Sequence, residues 1–131
     1  LFIDREPHHT TALRFFSYLD LNRDSATAYT SHVAVADVVY ILGKLQTEEY
    51  AIEKIKGLRA LVHIAAMTEA VVDNALGDPY KDFEDSIQYY CAVENDIRSI
   101  VTRNTKDFPK RDVRIVTPEE FMAMDLTERS I

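Results

Sequence analysis

Short apolar runs alternate with helix-length segments along this chain, and that alternation restricts the folds open to it. Leu1–Ile3, Thr27–Thr30, Leu61–Ala65, Ser99–Thr102 and Arg114–Val116 read as strands, with room for crossover helices between them. Parallel strands need such crossovers, so the pattern gives an α/β fold with a mainly parallel sheet. Cap residues mark the helix starts. Ser31 precedes a strongly apolar helix from His32 to about Leu45, and Thr47 precedes one with Ile52, Ile55 and Leu58 on one face. Thr68 opens a helix that Gly77 ends before Asp78-Pro79. Asp82 to Glu94 is helical in pattern, with Phe83, Ile87, Tyr90 and Cys91 in one stripe and Asn95 as its stop. Pro7 suits a first helical turn ahead of Leu13, Phe16 and Leu19. Thr117-Pro118-Glu119-Glu120 combines an N-cap, a Pro at the first helical position and a Glu placed to close a capping box.

No repeat, low-complexity tract or linker interrupts the 131 residues, so a single domain over 1–131 is expected. The chain does not start with Met, and we expect the natural N-terminus to lie further upstream. Cys91 is the one cysteine, which rules out a disulfide within the chain and fits a reducing, cytoplasmic setting. No apolar run is long enough to span a membrane. A net charge of −7 argues against a general nucleic-acid coat, because phosphate contacts need a basic face. The charge is uneven, however. Arg98, Arg103, Lys106, Lys110, Arg111 and Arg114 stand against only Asp107 and Asp112 in one stretch, so a polyanion has a place to dock.

Ligands of parallel α/β sheets bind beyond the C-terminal strand ends, which makes acids at those ends informative. Asp4 ends the first strand, and Asn104 and Asp107 follow the strand Ser99–Thr102. Asp37 interrupts the apolar run Val33-Ala34-Val35-Ala36-Asp37-Val38-Val39, where a carboxylate is costly unless a basic partner or a cation compensates it. Asp85 lies near a helix start, where it also favours the helix dipole. Four segments thus each offer a carboxylate that a sheet could gather. Gathered acids raise one another's pKa and call for a cation, and their hard oxygens select Mg²⁺ or Mn²⁺. His8-His9 does not make a metal pair, since adjacent helical residues do not face one another. His32 and His63 read as structural, Cys91 as a small buried hydrophobe, and Tyr89 and Tyr90 as core or contact residues. No glycine-rich phosphate loop is present, which excludes the common nucleotide-binding folds.

Four stretches occur in order: Leu1-Phe2-Ile3-Asp4, Ser31-His32-Val33-Ala34-Val35-Ala36-Asp37, Asp82-Phe83-Glu84-Asp85-Ser86-Ile87-Gln88 and Val101-Thr102-Arg103-Asn104-Thr105-Lys106-Asp107-Phe108. Together they resemble the successive motifs of PIN domains, and Val116-Thr117-Pro118-Glu119-Glu120-Phe121 resembles the close of bacterial members. The resemblance implies a three-layer α/β/α fold with a central, mainly parallel sheet. It also implies a Mg²⁺- or Mn²⁺-dependent endoribonuclease, in many bacterial cases a VapC-type toxin that forms homodimers and is neutralised by an antitoxin. Carried over by position, Asp4, Asp37, Asp85 and Asp107 become the metal-binding and catalytic acids, with Asn104 and Thr102 as polar support. Glu84 points elsewhere on its helix. Arg103, Lys106, Lys110 and Arg111 are then placed to meet RNA phosphates.

One departure bears on the site. After the first acid the family continues with Thr-Asn and an apolar helical segment, whereas here Asp4 runs into Arg5-Glu6-Pro7. We expect a segment after Asp4 to be missing from this chain. A true deletion would favour a second reading, a non-catalytic PIN-like module that binds nucleic acid or protein. A small-molecule phosphatase with a strand-end aspartate nucleophile ranks below both, because Glu6 stands where the second Asp of an Asp-x-Asp pair belongs.

Overall fold

A helix start leaves backbone N–H groups without partners, and this sequence supplies a side-chain acceptor at five of them. In the computed structural model, which describes residues 8–78, 82–108 and 112–124, each of these caps is in place. Ser31 Oγ accepts from the Ala34 N–H at 3.1 Å, Thr47 Oγ1 from Tyr50 at 3.0 Å and Thr68 Oγ1 from Val71 at 3.4 Å. Asp82 Oδ1 accepts from Glu84 at 2.8 Å. Thr117 and Glu120 close the predicted capping box, with bonds of 3.1 and 2.9 Å. The helices that follow are α2 (His32–Leu45), α3 (Glu48–Leu58), α4 (Glu69–Gly77), α5 (Phe83–Glu94) and α6 (Pro118–Ala123), with α1 (His8–Leu21) ahead of them. Pro7 and the Asp4–Arg5 junction lie outside the described residues. Gly77 is the last helical residue of α4, not a left-handed stop: no glycine has a positive φ, and Asp78 caps the helix with φ −142° and ψ 64°.

The described strands are β1 (Ala28–Thr30), β2 (Val62–Ile64), β3 (Ser99–Val101) and β4 (Arg114–Val116). The chain divides into two compact units, residues 1–64 and 65–131. In the first, β1 and β2 pair in parallel with Ala28 opposite Val62, and α2 and α3 form the crossover. In the second, β3 and β4 pair in parallel with Ser99 opposite Arg114. The Thr102 N–H donates to the Val116 carbonyl at 2.9 Å, carrying that ladder one residue further. The fold is therefore α/β with parallel strands, as the alternation predicts. The described strands form two two-stranded sheets. The predicted first strand, Leu1–Ile3, lies outside the described residues.

Packing selects faces that periodicity alone does not. In the first unit Ala51 is completely buried on α3, whereas Ile52, expected on the apolar face, is 40% exposed. Ala51 shares its face with Ile55 and Leu58, which are half-buried, so of the expected trio only Ile52 faces outward. In the second unit the core gathers Tyr89, Ala92, Phe108, Val113 and Ile115, with Tyr90, Val93, Ile97 and Ile100 against it. The stripe expected on α5 is corrected in the same way. Ile87 and Cys91 are buried, but Phe83 is 45% exposed and Tyr89 is the ring that enters the core.

Asn95 ends α5 and clasps the chain where it leaves β2. Its Nδ2 donates to the Ala66 carbonyl at 2.9 Å and to the Cys91 carbonyl at 2.8 Å, while its Oδ1 accepts from the Ala66 N–H at 3.3 Å. Cys91 is buried beside it, and that burial raises its thiol pKa, the behaviour of a packing residue and not of a nucleophile. Asn95→Ala removes all three bonds and is expected to cost about 1–3 kcal/mol. Urea denaturation checks this, and an unchanged midpoint would mean that water replaces the clasp.

Candidate active site

Two elements of the second unit carry the acids of interest. Beyond β3, Thr102 Oγ1 accepts from the Asn104 N–H at 3.1 Å, and the Asn104 carbonyl accepts from the Asp107 N–H at 3.1 Å. These bonds wind Thr105–Asp107 into a single 3-10 turn. Phe108, next in the chain, is buried in the core and anchors the turn. Asp107 is left half-buried at a fixed place, one turn beyond the strand end. The Thr102 side chain thus supports the loop, whereas Asn104 contributes through its backbone and its side chain makes no capping bond to the turn.

The second element is the first turn of α5. Asp82 caps it, Ser86 is buried one turn in, and Asp85 is half-buried between them in sequence. Burial raises the Asp85 carboxyl above its ordinary pKa, and the negative charges of Asp82 and Asp107 raise it further. Asp85 and Asp107, expected to work together, thus share one electrostatic neighbourhood. Asp82 is the member that sequence reasoning missed as a source of field. The signal was present, since residues three apart on a helix are neighbours. Its own carboxylate is engaged in capping.

The other expected acids stand differently. Asp37 is half-buried on α2, in the first unit, so it is not enclosed as its apolar neighbours suggested. Asp4 lies outside the described residues. Among the described residues no group of three or more His, Cys, Asp or Glu side chains is arranged to hold a metal ion. Even so, the Asp85–Asp107 neighbourhood suits a hard divalent cation. Its donors are all oxygen, and the like charge that adds to burial in raising Asp85 is what a bound cation would offset.

Of the basic residues, Arg103 is paired with Glu119, and Lys106 is exposed on the 3-10 turn. Lys110 and Arg111 lie outside the described residues. His32 is exposed at the start of α2, and the His63 ring packs against Tyr29 with centroids 5.6 Å apart. Glu84 is exposed, as expected. Among the described residues no helix is long and apolar enough to cross a membrane.

Comparison with known proteins agrees with the ordered motifs. The chain is 29% identical over 126 residues to Ribonuclease VapC1 of Aquifex aeolicus (strain VF5), an alignment covering 92% of this chain and 85% of that protein. No solved structure gives a significant match. The sequence profile of the PIN domain matches residues 1–106, a span that includes Asp4, Asp37, Asp85, Thr102 and Asn104 and stops one residue short of Asp107. With most of its length matched in this way, the chain belongs to the PIN domain family.

Proposed function

We propose that this protein is a Mg²⁺- or Mn²⁺-dependent endoribonuclease that hydrolyses RNA phosphodiester bonds as the toxin of a toxin–antitoxin pair. The observation that carries the reading is the shared neighbourhood of Asp85 and Asp107, with the Asp85 carboxyl raised by burial and by like charge. Membership of the PIN domain family and the similarity to a protein named a ribonuclease support it. Asp4, Asp37, Asp85 and Asp107 would hold the cation. When bound there, the cation supplies Lewis acidity that activates water and offsets charge on the scissile phosphate.

The chain's own residues do the rest. Asp85 stands on the capped first turn of α5 and Asp107 on the 3-10 turn, so both carboxylates would be positioned before the reaction by hydrogen-bonded backbone. The Thr102 hydroxyl holds the Asp107 turn through its loop bond, and the Asn104 amide would orient Asp4 or Asp107. Arg103, Lys106, Lys110 and Arg111 would meet phosphates flanking the cut, which concentrates contact with RNA on one stretch of an otherwise acidic chain. The finer features that accompany this function are a single domain over 1–131, one central sheet between helical layers, a homodimer, a cytoplasmic setting and an antitoxin partner.

The second reading, a non-catalytic PIN-like binding module, is favoured by one observation: the chain runs from Asp4 into Arg5-Glu6-Pro7 without the family's Thr-Asn segment. Metal removal separates the two. Incubation of a structured RNA with the protein is expected to give cleavage in Mg²⁺ or Mn²⁺, none in excess EDTA, and recovery on adding Mg²⁺ back. Folded protein that binds the RNA but cuts it under no metal would establish the binding module instead.

A further inference from the structure

Arg103 stands two residues beyond β3, on the loop that leads to Asp107. Its Nη1 donates to both carboxylate oxygens of Glu119, at 3.1 and 3.3 Å. One nitrogen shared between two oxygens is not the two-nitrogen fork that makes arginine–carboxylate pairs strong. The two side chains are 33% and 53% exposed. A pair of this kind contributes little to stability and exchanges partners readily. Glu120, the next residue, is committed to the capping box with Thr117, so it is Glu119 that reaches across 16 positions to the guanidinium.

We propose that Glu119 is an internal competitor for RNA at Arg103. Its carboxylate occupies the guanidinium in the free protein, and an RNA phosphate must take the arginine from it. Glu119 thereby weakens and tempers the hold on RNA at the loop that carries Asp107. This inference rests on the RNA reading above.

Two consequences distinguish it from general charge repulsion. Glu119→Gln is expected to tighten RNA binding by roughly two- to five-fold, the range of an exposed ion pair. It should also steepen the dependence of log affinity on log salt, by up to the ~0.7 expected for one single-strand phosphate contact, because no freed carboxylate recaptures a cation. Both effects must need Arg103.

The test uses the full chain carrying Asp85→Asn, so that the strand is not cut, in Mg²⁺. Fluorescence anisotropy of a labelled single-stranded RNA is followed across a salt series. Glu119→Gln is compared with Glu94→Gln, which removes an equally negative, exposed carboxylate elsewhere, and both are repeated with Arg103→Ala. Tightening specific to Glu119→Gln and lost with Arg103→Ala supports the proposal. Equal effects of the two Glu variants, tightening that survives without Arg103, or weakened binding at unchanged melting temperature would each overturn it and leave the RNA reading standing. Absence of any RNA binding by the parent chain would overturn both.

Discussion

Asp85→Asn is expected to lower RNA cleavage by roughly 10²–10⁴-fold, about 3–5 kcal/mol of transition-state stabilisation, without unfolding the protein. An amide keeps the size of the carboxylate but supplies one neutral oxygen where a cation needs a charged one. Cleavage of a labelled RNA in Mg²⁺ measures the loss, and activity retained within a few-fold would remove Asp85 from the mechanism. The same variant should be more stable than the parent in EDTA at neutral pH. Burial and the charges of Asp82 and Asp107 raise the folded-state pKa of Asp85, so folding favours its protonated form. That contribution is fully present below the unfolded pKa, about pH 4, and is lost as pH rises through the raised folded value. Asn at this position does not ionise and escapes the loss. The two proteins should therefore melt together near pH 3, with the variant the more stable of the two at pH 7. A parent that is the more stable at pH 7 would mean that ionised Asp85 has a stabilising partner. Burial and like charge would then not govern the site.

Tyr89→Ala should have the largest effect on stability, about 3–5 kcal/mol. The ring is 1% exposed, sits among Ala92, Phe108, Val113 and Ile115, and meets Tyr90 edge-on at 5.2 Å. Its hydroxyl accepts from the Asp112 N–H at 3.1 Å, holding the chain just ahead of β4. Tyr89→Phe keeps the ring and leaves that N–H without its acceptor, at a cost of about 1–2 kcal/mol. Urea denaturation of the two variants separates packing from hydrogen bonding. Equal losses would mean that the hydroxyl, and not the ring, carries the position. Because Phe108 anchors the turn bearing Asp107, a loosened core at Tyr89 should also reduce cleavage.

The sequence by itself determined what depends on near neighbours. Ser31, Thr47, Thr68 and Thr117 cap their helices because an N-cap bond reaches only two or three residues along the chain. The parallel pairing followed from crossover length, and the family from motifs in a fixed order. The tertiary structure decided what depends on residues far apart. Ala51 and not Ile52 is buried, and Tyr89 and not Phe83, because the partner surface chooses among apolar faces that periodicity leaves equivalent. Asn95 clasps Ala66 across 29 positions, and Arg103 meets Glu119 across 16. No local pattern encodes such contacts. Asp85 and Asp107 were legible as residue types at helix and strand ends. Their mutual electrostatics exists only once α5 and the loop after β3 are folded, because Coulomb repulsion acts through space and not along the chain.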